Sequence, residues 1–401
     1  MFLEIIIALI LGIGTGIITG LTPGLHINLV SLLVLSFSPL LLQITSPIVL
    51  GVYIIAMAIT HTFLDAIPSI YLGAPDESQA LNVLPGHRLL MKGEGHNAIV
   101  CTVIGALGAI LLGILFFPVF ILLMKWLAEP VTGIVGYLLI LLMVYMIWRE
   151  KEKKIKALAL FLLSGTLGLL VFSIPTLEQP LFPLLSGLFG FSILLISLAQ
   201  KSVIPEQKLD QPLNLSTKNL VKSVSGATGM GFIAAFLPGF GSSQAAIIAT
   251  NVVGDIGDEG FLTLVGGINT ANMLISIAAA YILDKSRNGA ILVVNKLLDG
   301  MSLETMLIFL AVSLVAAGAA ALLTINISKI FARVIVKVKY SYIILSIIIF
   351  ITLLTIYFDG FLGLIILGTA TALGLISSVW GVGKNHLMGC LLIPVILYFV
   401  L

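Results

Sequence analysis

The chain has 401 residues, 59% of them hydrophobic and 9% charged, with a mean hydropathy of +1.20. Soluble domains carry about 25% charged residues, so this sequence cannot coat a water-facing surface, and a net charge of +2 gives no basis for a nucleic-acid partner. Apolar runs near the roughly 20 residues that cross a bilayer recur from end to end, continuous where a β-barrel would alternate, so the expected fold class is an all-α polytopic membrane protein surrounded by lipid.

The first half is predicted to hold membrane segments at 3–20, 25–44, 48–72, 97–124, 130–148, 157–174 and 181–199. Met1 to Glu4 carry no basic leader and run straight into a glycine-rich stretch, which is read as a membrane segment and not a cleaved signal. Gly12, Gly16 and Gly20 recur on one helix face, the spacing that lets helices approach closely in lipid. Pro23-Gly24 then interrupts the run. The span at 48–72 carries Thr60-His61-Thr62-Phe63-Leu64-Asp65, and the polar stretch after it, Gly73 to Ala98, suits a solvated loop or a gate. Cys101 and Cys390 lie in apolar stretches of opposite halves and read as small buried hydrophobes.

The second half is predicted to repeat this order, with segments at 219–237, 241–253, 261–283, 303–326, 341–357, 361–378 and 385–401. Its first segment is broken by Pro238-Gly239. At a constant offset of 215 (Pro23 to Pro238), Gly14 aligns with Gly229 and Gly16 with Gly231. At an offset near 208, the His61 region meets Asn269-Thr270-Ala271-Asn272. The expected domains are an N-terminal transmembrane repeat at 1–200, a cytoplasmic linker at 201–218 and a C-terminal transmembrane repeat at 219–401.

Charge orients these segments. The basic loops at 149–156, 201–222 and 329–339 are placed in the cytoplasm by the positive-inside rule, which makes this a multi-pass cell-membrane protein. Even numbers of segments separate each pair of these loops. An odd number per half then inverts one half relative to the other, giving two inverted-topology repeats, each with a broken, re-entrant hairpin.

A helix interrupted inside lipid leaves backbone groups unpaired, which is tolerated only where protein or a wet cavity meets them. Paired breaks at corresponding positions therefore point to a transporter's binding site. A helix restarting after each break would aim its positive N-terminal dipole at the gap and suit a carboxylate or phosphate. Alternatively each Pro-Gly turns a tight hairpin and Ser or Asn caps the next helix; recurrence of the break in register favours the binding site. The candidate substrate residues are Pro23, Gly24, Leu25, His26, Asn28, Pro238, Gly239, Gly241, Ser242 and Ser243. The candidate co-ion residues are His61 and Asp65, four apart on one helix face, with Asn269 and Asn272. An ionisable group inside a span is a functional candidate: Asp65 would bind Na+ with backbone carbonyls or carry a proton that His61 helps pass. The competing reading ends the span before Pro68 and leaves Asp65 at the interface. No other cofactor and no firm metal site are expected. The sequence holds no His-Glu-x-x-His, no Gly-x-Ser-x-Gly and no carboxylate cluster, so an enzyme is not expected.

The glycine-rich lead into Pro-Gly in both halves, the stretch Gly73-Ala74-Pro75-Asp76-Glu77-Ser78-Gln79-Ala80 and Lys92-Gly93 resemble the large membrane subunit of tripartite tricarboxylate transporters over most of the chain. The resemblance implies that this chain holds the translocation path. It also implies a small four-helix membrane subunit, a soluble solute-binding protein that delivers carboxylates, and an ion gradient as driving force. Pro23, Gly24, Leu25 and His26 with Pro238, Gly239, Gly241, Ser242 and Ser243 would be the site carried over. Polyprenyl-phosphate carrier translocases also resemble it in their paired Pro-Gly hairpins. The function expected is an ion-coupled permease of small organic anions, di- or tricarboxylates, with access alternating as one repeat moves against the other. A lipid-carrier translocase built on the same hairpins is the alternative.

Overall fold

The computed structural model describes residues 2–23, 25, 27–74, 77–150, 152–199, 204–236, 241–283, 288–337 and 340–401. All the regular elements among them are helical, and eight helices are long and apolar enough to cross a membrane. α1 (Phe2–Leu21) is extended by the Thr22 N–H, which donates to Ile18 O, and stops at Pro23, which has no N–H to continue the ladder. α2 (Ile27–Ser36) starts beyond the break, followed by the single turn α3 (Ser38–Leu41). α4 (Pro47–Leu64) opens on a proline, whose missing N–H is no loss in a first turn. A wider turn at Pro68–Leu72 carries that span on to Gly73, which takes the left-handed φ of 65°. A tight turn at Glu77–Asn82 leads into α5 (Val83–Leu90), then α6 (Gly95–Leu115), α7 (Phe117–Arg149), α8 (Lys154–Phe172), α9 (Leu181–Leu185) and α10 (Ser192–Ala199).

The second half runs α11 (Thr217–Phe236), α12 (Ser242–Val253), α13 (Gly257–Leu283), α14 (Gly289–Leu298), α15 (Leu303–Ile335), α16 (Tyr340–Trp380), a short turn at Lys384–Met388 and α17 (Gly389–Val400). Asn288 caps α14 by accepting from the N–H groups of Ala290 and Ile291, and Ser302 caps α15 through Thr305 N. The boundary expected between 357 and 361 falls at Gly360, whose non-helical backbone (φ 59°, ψ -148°) separates two helices within α16. The boundary expected at 125–129 is absent. α6 ends at Phe116, and Pro118 in the first turn of α7 starts a helix that runs through that stretch. The helical backbone continues through Lys125, Glu129 and Pro130.

The packing is reciprocal between the halves. α1 lies along α4 and α11 along α13, while α6 packs on α13 and α15 on α4. Thr62 of α4 and Thr270 of α13, corresponding positions at the offset of 208, hydrogen-bond to each other at 3.1 Å. A second group of helices joins α8 to α17 and the α9–α10 stretch to α16. α7 spans the two groups: Phe120 stacks on Phe232 of α11 at 4.9 Å, and Gly136 fits against Phe399 and Val400 of α17. The segment after α10 is strapped to the α5–α6 turn. Gln207 accepts from Gly95 N at 2.9 Å and donates to Leu90 O at 3.0 Å, and Lys208 N donates to Gly93 O at 2.8 Å.

Glycines set how close these helices come. A Cβ on Gly16 would sit 2.6 Å from Met57 O and Thr60 Cβ of α4, and one on Gly231 would collide with Ala271 of α13. Their neighbours Gly14 and Gly229 face open space, with nothing within 4 Å. The offset of 215 thus pairs positions with the same surroundings. Both cysteines are buried thiols. Gly16→Ala and Gly231→Ala should each destabilise the protein by about 1–3 kcal/mol, the usual cost of overpacking. Gly14→Ala and Gly229→Ala should be neutral or stabilising by up to about 1 kcal/mol, the helix preference of alanine over glycine. Thermal unfolding of the purified variants checks both pairs.

Candidate substrate and ion site

Asp65 follows the last residue of α4, with its N–H on His61 O at 2.9 Å, and it is only 2% exposed. The apolar helical stretch runs on past Pro68 to Leu72, against the reading that ended the span before that proline. Its Oδ1 accepts from Gln79 Nε2 at 2.8 Å, and its Oδ2 from Asn269 Nδ2 at 2.8 Å and Ser78 Oγ at 3.2 Å. Two amides and a hydroxyl are thus among the groups that donate to this buried carboxylate. Hydrogen bonds to an ionised acceptor are about twice as strong as neutral ones, and they offset part of the desolvation cost. Gln79 is itself held by Asn82 Nδ2. His61, 3% exposed, meets Thr19 Oγ1 of α1 at 3.1 Å.

The expected substrate residues divide. Gly24, His26, Pro238 and Gly239 lie outside the described residues. Pro23 and Leu25 are half-buried, and Leu25 N donates to Thr22 O at 3.2 Å. Asn28, in the first turn of α2, packs against Gly289 of α14, where a Cβ would lie 2.7 Å from its Oδ1. Gly241 precedes α12 in extended backbone, and its N–H donates to Gln244 Oε1 at 2.9 Å. That side chain, three residues on, does the capping that was expected of a serine. Ser242 and Ser243 are buried in the opening turn of α12. Asn272 Nδ2 donates to Ser242 Oγ at 3.3 Å. One turn of α13 therefore holds both ends of the candidate site: Asn269 on Asp65 and Asn272 on Ser242.

A cavity of about 960 Å³ opens beside this region. One wall comes from the first helix group, with Ala80 to Arg88 and Ile247 to Phe261; the other comes from the second, with Glu150 to Lys153, Phe189, Ile193 and Gly381 to Asn385. Arg88 Nη2 meets Asp258 Oδ1 at 2.7 Å across the halves, an exposed pair worth about 0–1 kcal/mol. Lys153 Nζ donates to Gly381 O at 2.9 Å, and His386 Nε2 meets Glu150 Oε1 at 3.0 Å. The acidic turn at Asp255 and Asp258 thus shares a mouth with the basic loop at 149–156, which the positive-inside rule places in the cytoplasm. Ile247 is five positions past Ser242, so the cavity wall climbs to about 7.5 Å from the start of α12 at about 1.5 Å per residue.

Over residues 6–389 the sequence matches the tripartite tricarboxylate transporter TctA family. The chain belongs to that family. A TctA-family protein is an integral membrane transporter and not an enzyme, and membership implies tricarboxylate transport together with a small membrane subunit and a binding protein. The chain is also similar to an uncharacterized protein of Methanocaldococcus jannaschii, 27% identical over 356 residues that cover 86% of this chain and 88% of the relative. No solved structure matches it.

Sequence reasoning placed Ser78 and Gln79 in a family-like loop and missed that they turn back onto Asp65. Their only signal was polarity close after a span with a buried acid. Gln79→Leu should destabilise the protein by about 1–3 kcal/mol, because it removes a donor from a buried carboxylate. Ser78→Ala, at a longer distance from the same group, should cost less than Gln79→Leu in the same unfolding measurement.

Proposed function

We propose that this TctA-family chain is an ion-coupled secondary permease of small organic anions, tricarboxylates foremost, that binds its substrate where the two Pro-Gly breaks meet near the membrane midplane. The halves act as inverted repeats, a reading supported by the basic-loop count and by corresponding residues in corresponding surroundings. Domains 1–200 and 219–401, joined by 201–218, follow from the same reading. Substrate oxygens are taken by the backbone and side chains around Pro23 to Asn28 and Pro238 to Ser243, Ser242 and Ser243 included. The co-ion, Na+ or H+, is taken at Asp65, with Asn269, Asn272 and His61 around it.

The observation that carries this reading is the single turn of α13 that links Asn269 to Asp65 and Asn272 to Ser242. A cation or proton arriving at Asp65 changes the charge that Asn269 reports, and one turn on, the same helix holds the hydroxyl at the restart of α12. A charged substrate in low-dielectric protein costs several kcal/mol unless compensated, and a bound cation offsets part of that. The alternation of access is placed between the two helix groups that line the cavity. Each group draws on both repeats, so the motion first expected, one repeat against the other, would have to shear packed helices.

Thermal unfolding of the purified chain, titrated with citrate with and without Na+ and across pH, tests this directly, because a true ligand stabilises by mass action. Ser242→Ala should weaken citrate stabilisation about three- to tenfold, the value of one hydrogen bond. Asp65→Asn should remove the dependence of citrate binding on Na+ or pH. Wild-type behaviour in both variants, or stabilisation by a polyprenyl phosphate in place of citrate, would sink the proposal.

A further inference from the structure

The cavity between the helix groups contains a charge that the mechanism above leaves unused. Lys384 begins the turn before α17, is 8% exposed, and lines the cavity wall. Gly381, at φ 61°, follows the last residue of α16, and the Asn385 side chain packs over Gly383. This tight glycine turn leads directly into the buried lysine. Its Nζ donates to Ser192 Oγ at 2.5 Å, and Ser192 in turn donates to Leu188 O at 2.8 Å. An ammonium has three donors and the serine accepts one.

Most of the charged groups around the same cavity are engaged elsewhere, and Glu152, which also lines it, is exposed to solvent. Glu150 meets His386, Asp258 meets Arg88, Lys153 donates to Gly381 O, and Asp255 accepts from Gly257 N at 3.1 Å. Among the described residues no carboxylate bonds to Lys384. A buried cation without a counter-charge costs several kcal/mol, and burial pushes its pKa down to about 7. A fixed Asp or Glu beside it would neutralise it permanently. Ser192 orients it and leaves its charge available to a mobile partner.

We propose that Lys384 is the counter-charge of an anion site in the cytoplasm-facing cavity, where it takes a carboxylate of an organic anion passing between the α12 break and the cytoplasm. The carboxylate assignment rests on the permease reading above, whereas the site itself rests on Lys384 and the cavity. A volume of about 960 Å³ suits such a ligand, since small-molecule pockets run about 300–1,000 Å³.

The test is the acylation rate of individual lysines in the purified full-length chain at pH 7.5, read by mass spectrometry, with citrate, inorganic phosphate or chloride as probe. Lys384 should react without an added anion, and saturating citrate should slow it at least about tenfold. Occupancy would both block the amine and keep it protonated, hence unreactive. Exposed Lys156 should be unaffected. The protection should persist in Ser242→Ala, and Lys384→Met should weaken citrate stabilisation where Lys384→Arg retains it. Protection of Lys384 without the citrate behaviour expected of Ser242 and Asp65 would uphold this site while overturning the tip site. No acylation of Lys384, no protection by any anion, or protection by phosphate alone would overturn the inference.

Discussion

A carboxylate in the interior of an apolar bundle must find its partners inside the protein, and Asp65 finds them across the halves. Asn269 reaches it from α13, while Ser78 and Gln79 fold back to it from the turn after its own span. That requirement brings α4 and α13 side by side, with Thr62 and Thr270 in contact between them. The glycines answer the same demand from the outer sides. Gly16 lets α1 lie directly on the backbone of α4, and Gly231 lets α11 lie on α13. In lipid, where apolar contact alone does not drive helices together, close backbone approach and satisfied polar groups hold a bundle. Both are concentrated on these two helices.

Much of this was legible in the sequence because membrane segments obey simple rules. Span length, the glycine face of α1 and the helix ends at Leu21 and Phe236 follow from apolar run length and the cost of unpaired groups in lipid. The correspondence of Gly14 with Gly229 and of Gly16 with Gly231 was readable as spacing, and the structure supplies its physical content. The α6–α7 boundary was not legible, because the apolar run passes unbroken through Phe116 and Phe117, whereas Lys125, Glu129 and Pro130 interrupt it further on where the backbone remains helical. Ser78, Gln79 and Lys384 were missed for another reason. A residue in a polar loop reads as solvated, and only the fold reveals that the loop turns inward.

Polar groups fall into two zones with different electrostatics. Around Asp65 the described hydrogen-bond donors are neutral side chains, Gln79, Asn269 and Ser78. Around the cavity the groups are charged, and several are paired with one another at its rim. An ion moving from one zone to the other leaves a region of mobile, screened charges for one of fixed dipoles, where each interaction is stronger because water is excluded.

The reciprocal packing also constrains how the protein is made. α6 emerges from the ribosome with its principal neighbour α13 still untranslated, and α4 with only α1 of its two main partners, α15 being still to come. The first half must therefore wait in the bilayer with those faces covered by lipid or by a chaperoning partner, and Asp65 without the amide of Asn269. The long helices of the second half close the core when they insert, so assembly is completed late in translation and cannot proceed one repeat at a time.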